Sequence, residues 1–289
     1  MKNPNKTKKF INLKCSPHQN NLITHKLKKK SCLSNKDLFE LKIQYNKFFS
    51  KKIVSNKPST IWYTIKNKFK NTCSNELCWY KMLRKTISLN KKYRPFSPKI
   101  WIKKPYKWLS STDIINVIKQ YEEKFKFFKF IGPSPIDFDD TKYFSQCVSE
   151  ELCKLNIIKL YKNKNKKTKI GIIFNTDPHY KSGKHWICLF IDLDLNYIFY
   201  FDSNGDPIPK RIKILKDRIM LQALKLNKEL KYYSNCKMEH QKKDGQCGMY
   251  VLYVLIQLLR ENKTPQYFKK FRVSDDLMKD YRKIYYNML

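Results

Sequence analysis

The sequence predicts an α+β fold, a mixed β-sheet flanked by helices, joined to a mostly helical, strongly basic N-terminal domain. Three observations predict it. TKIGIIFNT, HWICLFIDLD and YIFYFDS are short runs rich in Ile, Phe and Tyr, separated by polar turns, which is the pattern of adjacent strands. GQCGMYVLYVLIQLLREN follows them as an almost wholly apolar stretch, the pattern of a helix buried on most sides. Helical spacing with a dense positive charge occupies the front third of the chain.

Taken in order, residues 1 to 30 are polar, basic and without clear period, and end in HKLKKK, so they read as a flexible arm. In LSNKDLFELKIQYNKFF, Ser34 or Asn35 can cap a helix whose apolar stripe is Leu38, Leu41, Ile43, Tyr45 and Phe48. A second helix is expected over ELCWYKMLRKTISL. The prolines Pro95, Pro98 and Pro105 forbid a continuous helix through YRPFSPKIWIKKPYKW. The boundary is therefore placed near residue 98, dividing an N-terminal arm domain, 1–98, from a body, 99–289.

Within the body, Ser111, Thr112 and Asp113 open a helix over STDIINVIKQYEEKFKFF, which IGPSPIDFDD breaks. The three strands follow. PIPKRIKILKDRIMLQALKLNKEL has helical spacing with Pro at its start, and KYYSNCKMEHQ reads as a further strand.

Charge and composition narrow the function classes. The formal net charge is +37, and residues 1 to 100 hold 25 Lys/Arg against 3 Asp/Glu. Such a charge predicts attraction to polyanions, nucleic acid first. The abundance of Lys, Asn, Ile and Tyr also has the look of an AT-rich genome. Lys-rich runs at 26–30, 161–167 and 209–216 are usually solvated faces, and with aromatics such as Tyr161 among them they could hold a nucleic-acid backbone. No run approaches the ~18 apolar residues of a membrane span, and MKNPNKTKKF has no apolar core of a signal peptide. Nine cysteines at irregular spacings read as reduced thiols of an intracellular protein, Cys73 and Cys78 among them. Cys15, His18, His25 and Cys32 fit no zinc-finger spacing well, so no metal site is expected.

The chemistry lies in the body. Cys247 stands where a loop turns into the apolar helix, and the unpaired N–H groups and dipole of a helix start lower a thiol pKa from about 8.5 toward neutrality. Gly245 and Gly248 beside it are expected to let a substrate backbone approach. His185 opens one strand and Asp202 closes the next, one hairpin away, where a carboxylate can hold an imidazole in one tautomer. Each residue alone is more often structural; together they have the topology of a nucleophile, its base and the base's partner.

GKHWICLFIDLD, YIFYFDSNG and HQKKDGQCGMYVLYVL resemble the His, Asp and Cys boxes of the ubiquitin-like-protein peptidases, the superfamily of the SUMO-specific proteases and the adenovirus protease. The likeness is greatest to its polyprotein-processing branch of the African swine fever virus type, through FNTDPHYKSGKHW and through His240 and Gln241 ahead of the cysteine. It extends over roughly residues 168 to 260, with IGPSPIDF and CSNELC matching more faintly. The resemblance implies a cysteine-peptidase core with Cys247 as nucleophile, His185 as base, Asp202 as its partner and Gln241 as an oxyanion-hole donor. Trp186 would lie over a narrow channel for glycine side chains, with a plain core aromatic as the equal alternative. That viral branch has Asn at the place of Asp202, and many relatives have an acidic residue at the place of Gln246.

The activity so implied is cleavage of viral structural polyprotein precursors after Gly-Gly-type sites during virion maturation, without metal or organic cofactor, in the host cytoplasm at assembly sites and in the virion. A SUMO-type isopeptidase using the same residues is one alternative. A nucleic-acid-binding virion protein with an inert peptidase core is another.

Overall fold

The first helix begins where the sequence offers a capping box. In the computed structural model, which describes residues 8–19, 30–85, 92–141 and 145–288, Ser34 Oγ accepts from the Asp37 amide while the Asp37 carboxylate accepts from the Ser34 amide. The chain divides into two units, Met1–Phe96 and Ser97–Leu289.

The first unit holds helices α1 (Asn35–Phe48), α2 (Pro58–Lys68) and α3 (Glu76–Met82). Leu38, Leu41, Ile61, Trp62, Ile65 and Trp79 form its core. Glu76 is buried among them and takes hydrogen bonds from Trp62 Nε1, Tyr93 Oη and the Cys32 amide. Burial raises its pKa despite those donors. The second expected helix is found at its start only; the TISL end of that segment, like much of the arm and His25, lies outside the described residues.

The cysteine reading needs correction. Cys15–Cys32, Cys73–Cys78 and Cys147–Cys153 are disulfide-bonded, leaving Cys188, Cys236 and Cys247 as free thiols. Irregular spacing hid these pairs because bridging depends on how closely the fold brings two Cα atoms, not on sequence interval. Among the described residues no cluster could hold a metal ion.

The second unit is α+β. After a single 3₁₀ turn at Lys99–Ile102 come α4 (Ser111–Lys124), β1 (Phe128–Pro135), α5 (Glu150–Cys153) and α6 (Ile157–Lys162). Strands β2 (Lys169–Asn175), β3 (Trp186–Asp192) and β4 (Tyr197–Asp202) follow, then α7 (Lys210–Leu224) and β5 (Lys231–Ser234). Helices α8 (Cys247–Leu259), α9 (Pro265–Lys270) and α10 (Asp275–Tyr285) complete it.

The five strands form one mixed sheet in the order β1-β2-β3-β4-β5, antiparallel at its centre and parallel at both edges. Strand β1 was not expected, since FKFIGPSP carries two prolines. It survives because it is an edge strand and its register shifts between Ile131 and Ser134, where Pro133 need not donate to the ladder. The expected strand over KYYSNCKMEHQ is only its first four residues, and the rest is loop.

Alternation sorts β3 into two faces: Trp186, Cys188 and Phe190 pack on α8, while Ile187, Leu189 and Ile191 pack on the layer containing α7. Every residue of α8 is buried. This explains the helix without a polar face: it fills the centre of its layer, and truncating Leu255 there to Ala costs about 2–5 kcal/mol.

Candidate active site

Cys247 is the first residue of α8 and is almost fully buried. The turn before it depends on Gly245, which has φ of +88°. A Cβ there would stand 2.4 Å from the Tyr106 carbonyl oxygen, and one on Gly248 would stand 2.9 Å from the Leu109 side chain. The two glycines therefore admit the chain's own 106–109 segment, rather than substrate as the sequence suggested. Gln246 is turned inward, and its Oε1 accepts from Arg282 Nε at 3.0 Å.

The antiparallel register sets Ile187 opposite Asp202, so the start of β3 and the end of β4 fall together. His185, one residue ahead of β3, thereby places its Nε2 2.7 Å from Asp202 Oδ1. Cys247 is the second partner that acts on the imidazole, opposite in kind to the burial around it. Burial by itself lowers the His185 pKa, but the hydrogen bonds to Asp202 and Cys247 and the charges of both override it and carry it up to about 10. The ring is thus favoured as an imidazolium between two acids.

Asp202 is held from several sides. The Asn204 amide donates to its Oδ1 at 2.8 Å, the same oxygen that faces His185 Nε2. Asn235, buried just past β5, pairs with the Asp202 backbone through both ends of its amide. Nothing in KYYSNCKMEHQ read as a strand announces that role; an Asn directly after a strand, where the chain must turn, was the available signal.

Gln241 reaches the same region from the loop between β5 and α8. Its amide and that of His240 both donate to the Ser203 carbonyl, and Ser203 Oγ donates to Gln241 Oε1 at 3.0 Å. With the oxygen occupied, the carboxamide presents its Nε2 donors. His240 anchors the loop: Nε2 faces the Phe268 carbonyl and Nδ1 accepts from the Val273 amide, each at 3.0 Å. Burial lowers its pKa to about 4, so it stays neutral.

Trp186 is buried in the core, with Nε1 donating to the Leu109 carbonyl at 3.0 Å, and it also lines a cavity of about 620 Å³. Trp186 is thus a core aromatic that also walls this cavity, whose lining does not include His185, Asp202, Gln241 or Cys247. Trp108 lines the same cavity and is 42% exposed, with Pro133, Asn175 and His179 elsewhere on the wall. Sequence reasoning passed over Trp108, which lay in the proline-rich stretch read only as a connection.

An imidazole between a carboxylate and a thiol, at a helix start and beside a cleft, can keep a thiolate ready and deliver a proton to a leaving group. The comparisons with known proteins agree with this chemistry. The chain is 32% identical over 157 residues to a thiol protease of Acanthamoeba polyphaga mimivirus, covering 54% of this chain and 49% of that one. It is 27% identical over 180 residues to a cysteine protease of African swine fever virus, covering 60% of this chain and 66% of that one. It thus spans about half the length of the first relative and just under two thirds of the second. The crystal structure of the African swine fever virus protease superposes with a TM-score of 0.69 at 21% identity, over 98% of each chain, which shows a shared fold. Residues 139–289, just over half of the chain, match the family model of the Ulp1 protease family, C-terminal catalytic domain. The chain therefore belongs to the Ulp1 protease family.

Proposed function

We propose that the protein is a viral cysteine endopeptidase that cleaves structural polyprotein precursors after Gly-Gly-type sites during virion maturation. The observation that carries this reading is the imidazole of His185 set between Asp202 and Cys247. Cys247 is the nucleophile, His185 the general acid and base, Asp202 its orienting partner and Gln241 an oxyanion donor. Trp186 covers the glycine channel.

The Cys247 thiolate attacks the carbonyl carbon of the glycine, and the developing oxyanion is met by Gln241 Nε2 and the Cys247 amide, donors worth about 3 kcal/mol each in comparable sites. The His185 imidazolium gives its proton to the departing amine, and a thioester remains. Neutral His185 then takes a proton from water, whose oxygen attacks the thioester; the carboxylic acid leaves and the thiolate returns with the imidazolium. These steps require no metal or organic cofactor.

The viral setting rests on the two viral relatives, and with it the expected location at assembly sites in the host cytoplasm and in the virion. The net charge of +37 supports a further part of the reading, a nucleic-acid tether through the basic residues 1–98. A sharp fall of DNA affinity between 50 and 200 mM salt is expected of such a tether, and binding that is absent or indifferent to salt removes it.

The test is incubation with a Gly-Gly-containing precursor fragment, wild type beside Cys247→Ala, with the cut sites read by mass spectrometry. Cleavage after glycine that disappears in Cys247→Ala is expected. Retained cleavage in that variant overturns the assignment. A wild type that spares the precursor but releases a ubiquitin-like protein from lysine turns the reading to an isopeptidase; inactivity on both, with DNA binding, turns it to a nucleic-acid-binding virion protein.

A further inference from the structure

Arg282, on α10, is buried, and among the described residues no carboxylate forms an ion pair with it. Its guanidinium is spent instead on the segment that carries the nucleophile. Nε donates to Gln246 Oε1 at 3.0 Å, one terminal nitrogen donates to the Gly245 carbonyl at 2.9 Å, and the other donates to the Lys107 carbonyl at 3.0 Å. The Trp101 ring backs the fork, with its centroid 4.3 Å from the guanidinium carbon.

A buried cation without a counter-charge is costly, and a chain that keeps one close to an ionisable thiol gains when that thiol is an anion. The groups that act electrostatically on Arg282 are Tyr286, Cys247, Asp113 and Tyr106. Burial holds the Tyr286 phenol neutral. The Asp113 carboxylate is turned to the start of α4, where it accepts from the Ser110 amide and hydroxyl. Of these groups, Cys247 is the one that directly follows the Gly245–Gln246 turn held by the fork. Cys247 acts electrostatically on both His185 and Arg282.

We propose that Arg282 is a positioning residue for the nucleophile: it clamps Gly245 and Gln246 in the turn that presents Cys247, and its positive charge favours the thiolate before substrate arrives. Burial brings the guanidinium pKa down to about 10, so the charge persists at neutral pH. The role would complement the imidazolium, which must surrender its proton during the reaction whereas Arg282 keeps its own.

The inference rests on Cys247 being the nucleophile, and its test reads the thiol without substrate. The rate at which iodoacetamide alkylates Cys247 in the full chain is followed by peptide mass spectrometry at pH 6 and pH 9, beside peptide-cleavage kinetics. Arg282→Met is expected to react about threefold or more slowly than wild type at pH 6 and at the wild-type rate at pH 9, with kcat falling more than KM changes. Arg282→Lys, which keeps the charge and loses the fork, is expected to lie between. Equal slowing at both pH values, or none at either, overturns the proposal. Should Arg282→Met fail to fold, Gln246→Leu cuts one arm of the clamp and is expected to show a smaller deficit confined to pH 6; rates equal to wild type at pH 6 overturn the proposal there also. A wild type that cleaves no peptide while Cys247 keeps this pH-dependent reactivity would count against the peptidase reading alone.

Discussion

Asn235 grips Asp202 through both ends of its side-chain amide: Oδ1 accepts from the Asp202 N–H at 3.0 Å, and Nδ2 donates to the Asp202 carbonyl at 2.6 Å. Nδ2 also donates to the Met238 carbonyl at 3.0 Å, so one side chain ties the end of β4 to the loop that leads to Gln241. Asn235→Ala strands buried backbone groups, each costing about 1–3 kcal/mol, and frees the carboxylate that orients His185. Urea unfolding should show a loss of that order, with a fall in kcat. A variant as stable and as active as wild type would mean that the grip is incidental.

The pH dependence of activity follows from His185. Burial opposes its charge, but the bonds to Asp202 and Cys247 raise its pKa from 6.5 to about 10. A histidine raised on folding contributes stability that is fully present below its unfolded value and is lost as pH rises through the folded one. The ion pair should thus persist through neutrality, and kcat/KM should fall on the alkaline side only as pH approaches about 10. Asp202→Asn keeps a group able to orient the ring but removes the negative charge. Measurable activity with an alkaline limb displaced to lower pH is the expected profile, and an undisplaced limb would sink the assignment.

Gln241 donates to an oxyanion only if its carboxamide faces the right way, and Ser203 Oγ fixes that orientation by occupying Oε1. Gln241→Ala should lower kcat about a hundredfold, the usual loss of one oxyanion donor. Ser203→Ala should lower it less, about tenfold, because the amide is then only partly misoriented. Steady-state kinetics distinguish this from a substrate-binding effect, which would appear in KM with kcat unchanged.

What the sequence disclosed and what it hid have separate physical causes. Strands β2, β3 and β4 and helix α8 were legible because each is a long apolar run whose burial dominates its local structure, and the register of β3 on β4 then brought His185 to Asp202 as their places in the chain suggested. Strand β1 was hidden by Pro133 and Pro135, since an edge strand tolerates prolines that a central one would not. Arg282 and Asn235 were invisible for another reason. Their partners are 36 and 33 residues away, and no local pattern marks a polar side chain whose bonds are made only after the layers close. The glycines flanking Cys247 were noticed and misread, because the sequence could not show that residues 106–109 of the same chain fill the space beside them.

Acid stability gives a last test, through His240. Its ring is neutral in the fold, accepting from the Val273 amide at Nδ1 and donating to the Phe268 carbonyl from Nε2. Burial lowers its pKa to about 4; the Phe268 carbonyl works in the opposite direction, and the Arg272 charge adds to the lowering. Because the unfolded chain binds this proton first, stability from the neutral ring is complete above pH 6.5 and is lost as pH falls toward about 4. The loss should approach 1.4 kcal/mol per pH unit in that window, roughly the linkage limit for one proton. Urea unfolding at pH 7, 6, 5 and 4 should therefore show a steeper decline for wild type than for His240→Phe, which is less stable at pH 7 because it leaves the Val273 amide and the Phe268 carbonyl unpaired. Parallel declines would show that another group governs acid unfolding. The loop held by His240 carries Gln241, so kcat should fall in the same acid window before the whole domain unfolds.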